Sequence, residues 1–335
     1  MVSSRTKTAD GRAMKIKSGR KEFKPKAILL SQRANILYLE RARVVQKDGR
    51  VLYLQETKGD IDQFFNIPHQ NTSLLLLGKG TSITDSAARQ LADAGVVVGF
   101  TGSGATPLTC GIDPVFMAPQ GEYRPTEYMQ AWIRMWIDDD TRLEAGRQML
   151  RQRCQWVQRT WSASRALVDR GVQVEDAAVA RFEAGISKAA TTDALMAAEG
   201  VWARYLYAEL SKAFKIEGFV RQEQVGERVS LKDTVNAFLT HGNYVAYGLA
   251  AVALYALGIS FALPVMHGKT RRGALVFDVA DLFKDAIVMP LAFQEAAAGA
   301  SDQHFRDALI ERVQHDGVLE DVIANLQKIV ASKVP

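Results

Sequence analysis

The sequence predicts an α+β protein, a small β-rich N-terminal domain followed by a larger helical one, on three observations. Between residues 27 and 110 the apolar residues come in short runs of strand length, separated by turn residues. From Glu122 onward the apolar period lengthens to that of helices. Finally, no residue from Tyr244 to Met266 is charged, as expected of a helix buried on all sides. A chain of 335 residues is long enough for two cores of this kind.

Taken in order, residues 1–26 come first, as a basic tail. They carry nine Lys/Arg against Asp10 and Glu22, a net of +7, which leaves −2 on residues 27–335. The tail has no apolar run of signal-peptide length and is expected to be disordered, either touching nucleic acid non-specifically or only aiding solubility. The β-rich domain, 27–110, follows. Its runs are Ile36-Leu-Tyr-Leu, Val51-Leu-Tyr-Leu, Ser73-Leu-Leu-Leu-Leu and Val96-Val-Val-Gly-Phe, with turns at Asp48-Gly49 and Gly78-Lys-Gly80 and one helix over about 84–94.

The helical domain, 111–335, is delimited by the change of period alone. Thr141-Arg-Leu-Glu144 has a capping-box pattern and is expected to open a long helix. Further helices are predicted at about 176–190, 192–215, 231–257, 278–298 and 301–332. Seven arginines between Thr141 and Arg170, Arg147 and Arg151 one turn apart among them, face only Glu144 and Asp169. That face is either solvated surface or a phosphate-contacting track.

Composition narrows the class. Apolar and charged fractions of 47% and 24% are those of an ordinary soluble protein. Two cysteines, Cys110 and Cys154, without metal or redox spacing, exclude a disulfide framework and suit the cytoplasm. The uncharged run 244–266 is long enough to span a bilayer. Gly248, Gly258, Ser260, Pro264 and its many alanines favour a buried helix instead, and no membrane association is expected.

The chemistry concentrates after residue 266. His267 is followed by Lys269-Thr-Arg271-Arg272 and then by Asp278, Asp281 and Asp285. On a helix these aspartates lie at i, i+3 and i+7 and face one way, so their repulsion needs a positive neutraliser. Beside a histidine, a divalent cation suits that role, and the basic turn suits a phosphate. Metal-assisted phosphodiester chemistry uses such hard oxygen ligands with positions left open for substrate. A further carboxylate has to come from elsewhere. Glu199 stands out because it interrupts an alanine-rich helix, although a plain surface glutamate fits equally, as does a capping or core role for His267.

Other motifs carry less. Gly78-Lys-Gly80-Thr-Ser lacks phosphate-loop spacing and reads as a tight turn, and Gly102-Ser103-Gly104 lacks nucleophile-elbow spacing. Trp132, Met135 and Trp136 fall at helical spacing and read as core. His69, His304 and His315 have no metal spacing, whereas His241 and Asn243 are candidates to support the ligands.

Read together and in this order, Glu199, His267, Asp278 and Asp281 give a chain that resembles a known family, the CRISPR adaptation integrase, first of the CRISPR-associated proteins, in its subtype I-F (Ypest) branch. The resemblance runs from about Ala27 to Asn325. Its most specific pieces are Ser31-Gln-Arg-Ala-Asn-Ile-Leu-Tyr-Leu, Gly78-Lys-Gly-Thr-Ser-Ile-Thr and Glu122-Tyr-Arg-Pro-Thr-Glu-Tyr. To these are added His241-Gly-Asn-Tyr-Val-Ala-Tyr-Gly-Leu-Ala-Ala and Met266-His-Gly-Lys-Thr-Arg-Arg-Gly-Ala-Leu-Val-Phe-Asp-Val-Ala-Asp-Leu.

The resemblance implies that residues 27–110 mediate homodimerisation and that 111–335 are the catalytic domain. It implies Mg²⁺ or Mn²⁺ held by Glu199, His267 and Asp281, with Asp278 a nearby catalytic acid whose role, orienting a ligand or acting as base, stays open. The implied activity is DNA cleavage and joining, in which the 3′-hydroxyl of a captured fragment (the spacer precursor) attacks a phosphodiester of a CRISPR repeat. The implied partner is the second CRISPR-associated protein, fused in this subtype to the helicase-nuclease. From chemistry rather than resemblance, Lys269, Arg271 and Arg272 are expected to bind DNA phosphates. A structure-specific nuclease for branched DNA and a non-catalytic DNA-binding scaffold are the competing readings.

Overall fold

The computed structural model describes residues 33, 35–55, 63–100, 126–222, 228–268 and 273–331. The basic tail, Cys110 and the Gly102-Ser103-Gly104 and Glu122-Tyr-Arg-Pro segments lie outside them.

Among the described residues, seven strands form two sheets. A parallel sheet has the order β1 (Asn35–Leu39), β5 (Thr72–Leu77), β7 (Val97–Phe100). A second sheet has the order β4 (Gln63–Ile67), β3 (Arg50–Gln55), β2 (Ala42–Lys47), β6 (Ser82–Ile83). β2 and β3 form a hairpin whose turn residues, Asp48 and Gly49, have φ of 52° and 72°. Two consecutive positive φ values match the right-handed strand twist, which is why Asp-Gly sits there. Strand β2 escapes a reading based on apolar runs because its sequence ARVVQK buries only alternate residues.

β5 is buried along its whole length. Alternation sends Leu74 and Leu76, with Ile36 of β1, into the core of the helical region, while Leu75 and Leu77, with Leu39, face helix α1 (Asp85–Asp93) in a second core. The strand is thus the wall between two cores, and a wall wetted on neither side reads as an unbroken apolar run.

The helices are α2 (Glu127–Ile137), α3 (Asp139–Ala163), α4 (Arg165–Val168), α5 (Asp176–Lys188), α6 (Thr192–Ala213), α7 (Leu231–Ala256), α8 (Ala274–Phe283), α9 (Met289–Ala297), α10 (Asp302–His315) and α11 (Val318–Ala331). Trp132 and Met135 are buried and Trp136 partly so, as core spacing predicts. Helix α7 opens on a full capping box between Ser230 and Asp233 and packs on β5 through Gly248. A Cβ there would stand 2.7 Å from Leu74 Cδ2, so glycine permits the close approach. Among the described residues no helix is long and apolar enough to cross a membrane. The uncharged run is cut when α7 ends at Ala256, before Gly258 with its φ of 66°.

Three sequence expectations need correction. The long helix α3 is capped by Asp138, whose carboxylate accepts from Thr141 N at 2.7 Å; Thr141 sits inside the first turn. The run 301–332 is two helices, because Gly317 adopts a φ of 63° between them. The helix expected at 278–298 begins earlier, at Ala274 after left-handed Gly273, and is interrupted by a π turn over Lys284–Val288. Pro290 has no N–H to offer the carbonyls of Asp285 or Ala286, its partners in π and α geometry. Helix α3 supplies substitutes: Trp161 Nε1 donates to Asp285 O at 3.1 Å, and the Thr160 hydroxyl lies 3.2 Å from Ala286 O.

Candidate metal centre

Three elements meet at one point. Glu199 projects from the middle of α6, His267 from the chain after α7, and Asp281 from α8. One ligand atom of each lies within 4.8 Å of the others. Donor atoms bound to one cation at about 2.0–2.3 Å are spaced that closely, so two carboxylates and one imidazole fit a divalent ion.

Asp278 stands behind this cluster. Its Oδ2 accepts from Val265 N at 2.6 Å and Met266 N at 3.1 Å; its Oδ1 accepts from His267 N at 3.0 Å and pairs with His267 Nδ1 at 2.7 Å. The side chain is fully buried. Both oxygens are therefore spent on the 265–267 strap, and the ring presents Nε2 forward, 3.7 Å from Asp281 Oδ2. The hydrogen bond to Asp278 holds the His267 imidazolium above its ordinary pKa against the opposing effect of burial, with help from Asp281.

The sequence pointed to one divalent cation as the neutraliser of three stacked aspartates; in the structure each aspartate has a protein group of its own. Asp278 has the His267 strap, Asp281 pairs with Lys284, and Asp285 meets Arg153 Nε at 2.6 Å. Arg153 reaches on to Glu199, Nη1 to Oε1 at 2.5 Å. Burial alone would raise the Asp281 pKa, yet Lys284, Arg153 and His267 together hold it below the usual carboxylate range. The same ion pair keeps buried Lys284 protonated although burial opposes it, and Tyr207, pressed into this region, is pushed up to about 12 by burial and then by Asp285.

Lys269, Arg271 and Arg272 lie outside the described residues. Other expectations change. His241 does not support the ligands: buried, it faces Asp302 at 4.0 Å, with Arg228, Arg306 and Glu40 around it. As the sequence predicts, Gly78-Lys-Gly80 is a tight turn, Gly80 having a φ of 74°. The α3 arginines form no free cationic face. Arg147 pairs with Glu144 at 2.9 Å and Ala189 O at 2.8 Å, and Arg151 with Glu183 at 2.9 Å. Arg142 and Arg159 pair with Asp139 and Asp321, and Arg153 is buried. Sequence reasoning missed Arg153 and Lys284. The i, i+3 spacing of Lys284 from Asp281 was a usable signal; nothing local marked Arg153.

The family model for CRISPR associated protein Cas1 matches residues 37–327. A CRISPR-associated endonuclease Cas1 from Pseudomonas aeruginosa is 42% identical over 312 residues, covering 91% of this chain and 95% of that protein. One from Pectobacterium atrosepticum is 40% identical over 317 residues, covering 92% and 95%. Among solved structures, that of a TtCas1–DNA complex superposes with a TM-score of 0.63 at 26% identity, covering 88% of this chain and 91% of the other.

Proposed function

Because the chain belongs to the Cas1 family of CRISPR-associated proteins, we propose that it is a metal-dependent DNA endonuclease and integrase, which inserts foreign DNA fragments into a CRISPR array as new spacers. The convergence of Glu199, His267 and Asp281 from three separate elements carries this reading. Two carboxylates and an imidazole suit Mg²⁺ or Mn²⁺, the imidazole favouring the softer Mn²⁺. Bound there, the ion supplies Lewis-acid polarisation of the scissile phosphate and a lower pKa for the attacking hydroxyl.

The protein's own groups do the rest. Asp278 fixes the His267 ring with Nε2 forward, and with both its oxygens occupied it acts as an orienting group rather than a base. Lys269, Arg271 and Arg272, next in sequence to His267, contact DNA phosphates. A 3′-hydroxyl of the captured fragment forms the new P–O bond as one repeat P–O bond breaks and the repeat strand leaves with its own 3′-hydroxyl. One phosphodiester replaces another, so no nucleotide cofactor is consumed.

The same reading assigns dimerisation to the β-rich unit, residues 27–110, and catalysis to residues 111–335. It places the protein in subtype I-F, in the cytoplasm, with the second CRISPR-associated protein fused to the helicase-nuclease as partner. The DNA complex of a relative at 26% identity supports DNA as the ligand.

The test is a joining assay with a supercoiled repeat-containing plasmid and a short duplex, in Mg²⁺ or Mn²⁺, with and without the partner. Wild type should join and Asp281→Ala should not. Cleavage without joining, even with the partner, would point to the branched-DNA nuclease. DNA binding with no activity in either protein would point to the scaffold.

A further inference from the structure

Arg153 differs from the other arginines of α3. Its side chain is only 4% exposed, and it spends its two edges on carboxylates from different elements: Nε on Asp285 of the π turn and Nη1 on Glu199 of α6. A guanidinium is planar and rigid, so anchoring Nε determines where Nη1 points. Asp285 is itself fixed, because Trp161 of the same helix α3 donates to its carbonyl. Helix α3 therefore grips the π turn by main chain and side chain, and the grip ends on Glu199.

Two roles for such an arginine can be separated. Neutralising buried carboxylates needs only a charge, which lysine also has. Setting the angle of one carboxylate from the position of another needs the fork, which lysine lacks. The two short contacts, 2.5 and 2.6 Å, to separate residues favour the second role. With Glu199 Oε1 occupied by Arg153, the other oxygen of that carboxylate remains an acceptor.

We propose that Arg153 and Asp285 form a brace that orients the Glu199 carboxylate for cation binding, making both of them positioning residues. The proposal rests on Glu199, His267 and Asp281 being the metal ligands. It gives Asp285, the third aspartate of the series, a part in the site without contact to the ion. It also gives the π turn a purpose, since Asp285, which Arg153 holds, lies within that turn.

The experiment is calorimetric titration of the full-length chain with Mn²⁺ alone, comparing wild type, Arg153→Lys, Glu199→Gln and the double variant. Loss of an outer group that orients a ligand costs about 10–100-fold in metal affinity, and Arg153→Lys should weaken Mn²⁺ binding by that order. In the Glu199→Gln background the same change should cost no more than about twofold, because there is no longer a carboxylate ligand to orient. Unchanged affinity in Arg153→Lys, or an equal loss in both backgrounds, would overturn the brace. If Arg153→Lys does not melt cooperatively, Asp285→Asn takes its place. It releases the same guanidinium edge, and its loss should likewise vanish in the Glu199→Gln background; an equal loss in both would again overturn the proposal. Glu199→Gln binding Mn²⁺ as tightly as wild type would instead reject the ligand assignment on which the brace depends.

Discussion

Asp278 pairs with His267 Nδ1 at 2.7 Å while also accepting the His267 backbone N–H at 3.0 Å, so one carboxylate fixes both the ring and the peptide of the residue in front of it. A carboxylate behind a ligating imidazole sets the tautomer and the direction of the free nitrogen. Here that nitrogen is Nε2, which faces Asp281.

Asp278→Asn should separate orientation from ligation. The amide keeps the shape but turns an NH₂ toward groups that are themselves donors, leaving buried N–H groups unpaired at a cost of about 1–3 kcal/mol. Urea unfolding should show that loss, and Mn²⁺ affinity should fall about 10–100-fold as the ring loses its fixed direction. Wild-type affinity in this variant would show that the ring needs no such support.

Protons and metal should compete for His267. Its folded pKa is raised above 6.5, chiefly by Asp278, so the charged pair stabilises the metal-free protein below the unfolded pKa and this contribution is lost as pH rises through the folded pKa. Ligation needs the neutral ring. Mn²⁺ affinity should therefore fall by about tenfold per pH unit on acidification below the folded pKa. Calorimetry at a series of pH values checks this, and a flat profile would remove His267 from the ligand set.

His241 should make the protein acid-sensitive. Burial lowers its pKa to about 4, only partly opposed by Asp302. Between about pH 6.5 and 4 the unfolded chain binds a proton that the folded one refuses, so stability falls as pH falls through that window. From about pH 7 to about pH 5, wild type should lose about 2 kcal/mol more than His241→Gln in urea unfolding. Equal losses would mean that the folded protein accepts the proton.

Replacing Arg151 should barely alter DNA binding. Its guanidinium is held by Glu183 at 2.9 Å, with Glu144 at 3.5 Å, so little of its charge is offered outward. Arg151→Gln should leave DNA affinity within about twofold and the slope of log affinity against log salt unchanged. A direct phosphate contact would instead lower that slope by about 0.9. Fluorescence anisotropy at several salt concentrations distinguishes the two.

Several features were legible in the sequence because they are local. Asp48-Gly49 marks a hairpin through the φ values its residues tolerate, and the all-apolar β5 declares a strand buried on both faces. His267, Asp278 and Asp281 lie close in the chain, and helical spacing alone puts the two aspartates on one face. Glu199 was different. It lies far from His267 in sequence, its place in an alanine-rich helix singles it out without separating it from a surface glutamate, and family resemblance was needed to select it.

What the sequence determined by itself was thus the α+β order, the strand and helix periods and the acidic stretch after His267, all set by neighbours along the chain. Tertiary structure decided how that acidic stretch is used. A π turn beside Pro290 carries Asp285 against Arg153, which lies 132 residues earlier, and leaves Asp281 with Lys284, within 4.8 Å of ligand atoms of Glu199 and His267. Helical spacing predicts that three carboxylates share a face. Which cation neutralises each depends on what the fold packs against that face, because ion pairing falls off over a few ångströms and is blind to distance along the chain.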